Sequence, residues 1–63
     1  MDYKIKVLRE KKGISQAELA RISGVSRPTI VRLESAEDIA ISTRTLEKLA
    51  KALNVSIKTL FLP

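Results

Sequence analysis

Apolar residues in this chain recur three and four positions apart. No stretch alternates between apolar and polar long enough to argue for a strand, so the spacing is that of helices. From Tyr3 to Lys12, Ile5 and Leu8 share one face, and Gly13 stands where a left-handed helix cap belongs. Ser15 opens a second helix, with Glu18 three residues on completing a capping box, and Leu19 and Ala20 facing inward. Gly24 marks a tight turn. Ser26 is the expected N-cap of a third helix reaching about Ser35. Pro28 suits its first turn, where the missing N–H has no intrahelical partner to lose. The stretch "SAEDIAI", 35–41, has no regular period and reads as a loop. Ser42 then caps a fourth helix, in which Leu46, Leu49, Ala50 and Leu53 follow the i, i+3, i+4, i+7 pattern of a buried stripe. Asn54 is its expected left-handed cap, and Ser56 begins a last short turn, "SIKTLF". Five short helices with brief connections make an all-α fold.

Composition narrows the chemistry. With 63 residues the chain reads as one domain, 1–63. A domain near that size buries only ~60% of its unfolded surface, which leaves little room for an enclosed active site. The sequence has no cysteine and no histidine. It therefore lacks a disulfide framework, a thiolate metal site and the commonest general base. Asp2, Glu10, Glu18, Glu37, Asp38 and Glu47 are scattered, with no glycine-rich phosphate loop beside them. An enzyme is rejected on those grounds, and neither metal nor cofactor is expected. The N-terminal stretch lacks the apolar run of a signal peptide and no segment reaches membrane-spanning length, so a cytoplasmic chain is expected.

Charge points to a partner. Lys and Arg number 12 against 7 Asp and Glu, a formal +5 with pI near 10.0. Residues 1–34 hold eight basic and four acidic side chains, whereas residues 35–63 hold four and three. A basic small domain with its charge in one half has the electrostatic footprint of a nucleic-acid binder, although a solubilising surface would look similar.

The segment "SGVSRPTIVRLE", 23–34, separates the two readings. A short helix, a glycine turn and a second helix with a basic outer face make a helix-turn-helix. The second helix of such a unit fits the major groove of B-DNA and brings its first turns to base edges. Ile30 and Leu33, with Val25 in the turn, supply the apolar docking face; Arg27 and Arg32 supply donors on the opposite face. The run "QAELARISGVSRPTIVRLE" resembles the helix-turn-helix of the lambda repressor and Cro-like family of bacterial and phage regulators. Ala20 matches the small residue where the two helices touch, Gly24 the turn glycine, and Leu19, Val25, Ile30 and Leu33 the apolar positions. The resemblance extends through "LREKKGISQAELA" before and "ISTRTLEKLAKALNVSIKTLF" after, and implies a five-helix lambda repressor-like DNA-binding domain whose helices 2 and 3 form the motif.

That resemblance assigns roles residue by residue. Arg27 and Arg32 match base-contacting positions, where arginine favours guanine through O6 and N7; a phosphate contact or a solvated side chain is the alternative for each. Pro28 matches a third reading position, where contact would be apolar, to a thymine methyl, unless it only starts the helix. Thr29 is expected at phosphate or base. Gln16 matches a residue that binds backbone phosphate at the start of the second helix. Ser15, Ser26 and Ser42 are caps first and phosphate donors second, with Thr43 beside them. Arg44 matches a basic phosphate contact and sits unfavourably against its helix dipole, which hints at an anion nearby. Arg9 and Glu34 match a partly buried ion pair between the first and third helices; two solvated charges are the alternative. One departure is the acidic pair Glu37 and Asp38 in the loop after the third helix, where relatives often carry basic residues. That loop is expected to point away from DNA.

The functional expectation is a sequence-specific regulator of double-stranded DNA, most simply a repressor, acting as a homodimer on a near-palindromic operator. Ile39, Ile41, Ile57, Phe61 and Leu62 are the dimer candidates, since not all can fit inside so small a core. The alternative is an antitoxin or interaction module of the same fold with a separate protein partner such as a toxin. The arginines of the third helix favour DNA.

Overall fold

The computed structural model of the chain describes residues 4–35 and 41–61. These form five helices: α1 (Ile5–Lys12), α2 (Gln16–Ser23), α3 (Arg27–Glu34), α4 (Thr43–Leu53) and α5 (Ile57–Phe61). No strand occurs among the described residues.

The helix ends follow the local chemistry of the sequence, with three differences. Gly13, Gly24 and Asn54 all take the left-handed conformation, at φ 71°, 75° and 59°. At Gly24 a Cβ would meet nothing within 4 Å, so the demand for glycine there comes from the backbone angle and not from crowding. Ser15 and Ser42 cap as expected, their hydroxyls accepting the N–H of Glu18 at 3.0 Å and of Thr45 at 3.1 Å. Ser26 occupies the N-cap of α3 in extended backbone but makes no capping bond. Its hydroxyl pairs with Thr29 Oγ1 at 2.8 Å instead. The capping box of α2 is also half-formed, because the Glu18 carboxylate turns to Arg21, whose Nε donates to it at 2.9 Å. Finally, α1 begins at Ile5, and Tyr3 lies outside the described residues. Lys4 is the N-cap and has no capping side chain; its N–H is donated to the carbonyl of Leu60 at 3.1 Å, which ties the start of α1 to α5.

The core is built around α4, whose Leu46, Leu49, Ala50 and Leu53 are all buried. Leu19 of α2, Val25 of the turn, Ile30 and Leu33 of α3, and Ile5 of α1 meet them. Leu60 of α5 completes the cluster and is fully buried, a role the sequence pattern does not single out. Half-buried Leu8, Ala20, Ile41 and Ile57 pack around its edge. α3 is thus held from behind by α2 and from one side by α1, which fixes which of its residues face outward.

Candidate nucleic-acid interface

The rotation of α3 is set by Ile30 and Leu33, both buried. At 3.6 residues per turn, the positions left outward run in the order Arg27, Val31, Ser35, Pro28, Arg32 over an arc of about 140°. All five are exposed. Arg27, Pro28 and Arg32, three of the four reading candidates, therefore share one face, with the arginines at its two margins. Thr29 stands apart. It is half-buried at the far edge, with its hydroxyl committed to Ser26.

At the end of α3, Glu34 joins three segments through one carboxylate. Arg9 Nε donates to Glu34 Oε2 at 2.7 Å and Arg9 Nη2 donates to Oε1 at 3.1 Å, a bidentate pair between α1 and α3. Arg9 Nη1 donates to the Ile14 carbonyl at 2.7 Å, and Gln16 Nε2 donates to Glu34 Oε1 at 3.0 Å. The side chains of Arg9 and Glu34 are only 12% and 4% exposed, so the pair is partly buried and is not a surface contact. Burial opposes charge on Glu34, but the hydrogen bonds from Arg9 and Gln16, with the charges of Arg9 and Lys6, prevail and hold its pKa below the ordinary carboxylate value. The hydrogen bond to Glu34 likewise raises the pKa of Arg9 against the cost of its desolvation.

A model of the helix-turn-helix family, lambda repressor-like in class, matches residues 5–60. The chain belongs to this family. It is a DNA-binding transcriptional regulator of the helix-turn-helix kind, a family of regulators and not of enzymes. The match begins at Ile5 and ends at Leu60, the first and last buried residues of the core. A comparison with individual curated proteins finds no match. In this helix-turn-helix regulator, α2 and α3 are the two helices of the motif and Gly24 is the C-cap of α2 in its turn.

The other positions singled out in the sequence fall in different surroundings. Gln16, at the first turn of α2, engages Glu34 with its side-chain amide. An amide nitrogen carries two hydrogens, so one N–H remains for another acceptor. Ser15, Ser26, Ser42, Thr43 and Arg44 are exposed at the starts of α2, α3 and α4, where backbone N–H groups lack intrahelical partners. Of the dimer candidates, Ile41 and Ile57 are half-buried against the regulator's own core. Ile39, Leu62 and the side chain of Phe61 lie outside the described residues, as do Glu37 and Asp38 of the acidic loop. Among the described residues, no helix is long and apolar enough to cross a membrane.

Sequence reasoning missed Val31. It is 40% exposed, the one large apolar side chain the outward face of α3 leaves that open. The signal was present in the spacing: Val31 lies one and four residues from Ile30 and Arg27, on the far side from Leu33 once Ile30 and Leu33 are placed inward.

Proposed function

We propose that this regulator is a cytoplasmic repressor without catalytic activity, and that residues 1–63 form one DNA-binding domain that binds a near-palindromic operator as a homodimer with α3 in the major groove. The observation that carries the reading is the outward face of α3, where Arg27 and Arg32 flank an exposed strip on a helix whose far end is locked by Arg9 and Glu34. Each arginine presents paired N–H donors suited to guanine O6 and N7, and Pro28 between them offers only apolar contact. The second N–H of Gln16, the hydroxyls of Ser15, Ser26, Ser42 and Thr43, and the guanidinium of Arg44 hold the phosphate backbone on either side of the groove.

A reading helix already held in place favours specificity because little backbone ordering remains to be done on binding. Two copies related by a two-fold axis place two α3 helices about one turn of DNA apart, which gives the operator its symmetry. The apolar residues Ile39, Ile41, Ile57, Phe61 and Leu62 supply the contact between copies. Selection of bound duplexes from a random library by the purified protein, followed by sequencing, tests the reading. Enrichment of a near-palindrome whose half-sites carry guanines is expected; salt-sensitive binding with no enriched sequence would overturn it.

A further inference from the structure

The outward face of α3 carries a feature that guanine reading leaves unused. Between the two arginines lies an apolar strip made by Val31 and Pro28, and Val31 leaves two-fifths of its surface in water. Nothing among the described residues covers it. The flanks are cationic, so the surface that fits over the strip is a polyanion that exposes apolar groups at regular intervals. The major groove of DNA is such a surface, because every thymine projects its C5-methyl group there and no other base edge is apolar.

Resting on the reading of α3 as a major-groove helix, we infer that Val31 is a specificity-determining residue that recognises the C5-methyl group of a pyrimidine set between the guanines bound by Arg27 and Arg32. A β-branched side chain has one strongly preferred rotamer in a helix, so its two methyl groups are fixed in place before DNA arrives. Pro28, on the same strip, has no side-chain rotamers to order and closes the other side of the methyl. The chemistry recognised is the methyl group itself. Thymine and 5-methylcytosine both present it at the same ring position, and cytosine does not.

The experiment uses the operator obtained by selection and replaces its thymines one at a time by deoxyuridine, which deletes the methyl and keeps every hydrogen-bonding group. Kd is measured at fixed salt for the wild type and for Val31→Ser. For the wild type, one position in each half-site loses affinity by about fourfold, the factor implied by withdrawing one methyl-sized apolar group from water. For Val31→Ser that position becomes insensitive to the replacement, whereas the circular-dichroism melt shifts little because Val31 lies outside the core cluster. A second set of duplexes carries cytosine or 5-methylcytosine at the same position, and methylation raises wild-type affinity by a similar factor while leaving Val31→Ser indifferent. Retention by Val31→Ser of the full wild-type response to both replacements would overturn the assignment, as would a wild type that responds to neither. Failure of the selection to enrich any sequence would instead remove the base-reading function on which the inference stands.

Discussion

Glu34→Ala tests whether α3 is held by the Arg9–Glu34 pair. The substitution deletes three hydrogen bonds, two from Arg9 and one from Gln16, and leaves the Arg9 guanidinium in a site where it is 12% exposed. Removing one partner of a deeply buried pair costs about 3–5 kcal/mol. Here Arg9 keeps its bond to the Ile14 carbonyl, and a depression of about 330 Å³ lined by Lys6, Arg9, Gln16, Val31, Glu34 and Ser35 admits water beside it. Both features reduce the penalty, to about 2–4 kcal/mol on that scale. A chain of this length has about 3–9 kcal/mol of total stability, so the loss is a large share of it. A fall in Tm of about 10–25 °C follows for so small a domain. Thermal and urea melts followed by circular dichroism check the figure. The double variant Arg9→Met/Glu34→Leu, which removes both charges and fills the space, recovers most of the loss because no unpaired charge remains. A cost below about 0.5 kcal/mol for Glu34→Ala, the range of an exposed pair, would refute the idea that this network anchors α3.

Other consequences follow from the same structure. Gly24→Ala costs about 1–2 kcal/mol, because φ is 75° and no neighbour contributes crowding; Gly24→Asn costs less, and paired urea melts compare them. Stability falls as pH drops below about 4.5. Glu34 has a folded-state pKa below that ordinary value, so its contribution is complete above 4.5 and is lost as pH descends through the folded value. The double variant at Arg9 and Glu34 shows a shallower acid limb in pH-dependent melts. Arg44→Ala weakens DNA binding similarly for every sequence and lowers the slope of log K against log salt by about 1, as for one lost phosphate contact.

Most of the fold is legible in the sequence because α1 to α4 each pair a cap-forming residue at one end with inward apolar positions, whereas α5 shows a cap alone. α4 is the plainest: Ser42, the four-residue apolar pattern and Asn54 agree on where it starts, faces and stops. The parts that were not legible are those in which polar side chains choose between partners of similar strength. Ser26 could cap α3 through the Thr29 N–H, yet the Thr29 hydroxyl takes it. Glu18 could complete its box, yet Arg21 one turn away offers a charged donor. The resemblance places Gln16 at phosphate, and its additional bond to Glu34 is not legible across a separation of 18 residues. Val31 is hidden for a different reason. An apolar residue in an apolar run suggests core, and only the phase fixed by Ile30 and Leu33 shows that it points away.

The affinity of Arg27→Ala for the selected operator, and for operators altered at one guanine at a time, bears most directly on the claim that α3 reads bases. At constant salt, the wild type should discriminate against replacement of one guanine per half-site by about 1–3 kcal/mol. Arg27→Ala should bind the intact operator more weakly by a similar amount and lose its discrimination at that position alone. Equal weakening on every duplex, with guanine discrimination intact, would contradict the account and leave Arg27 as a contact to phosphate.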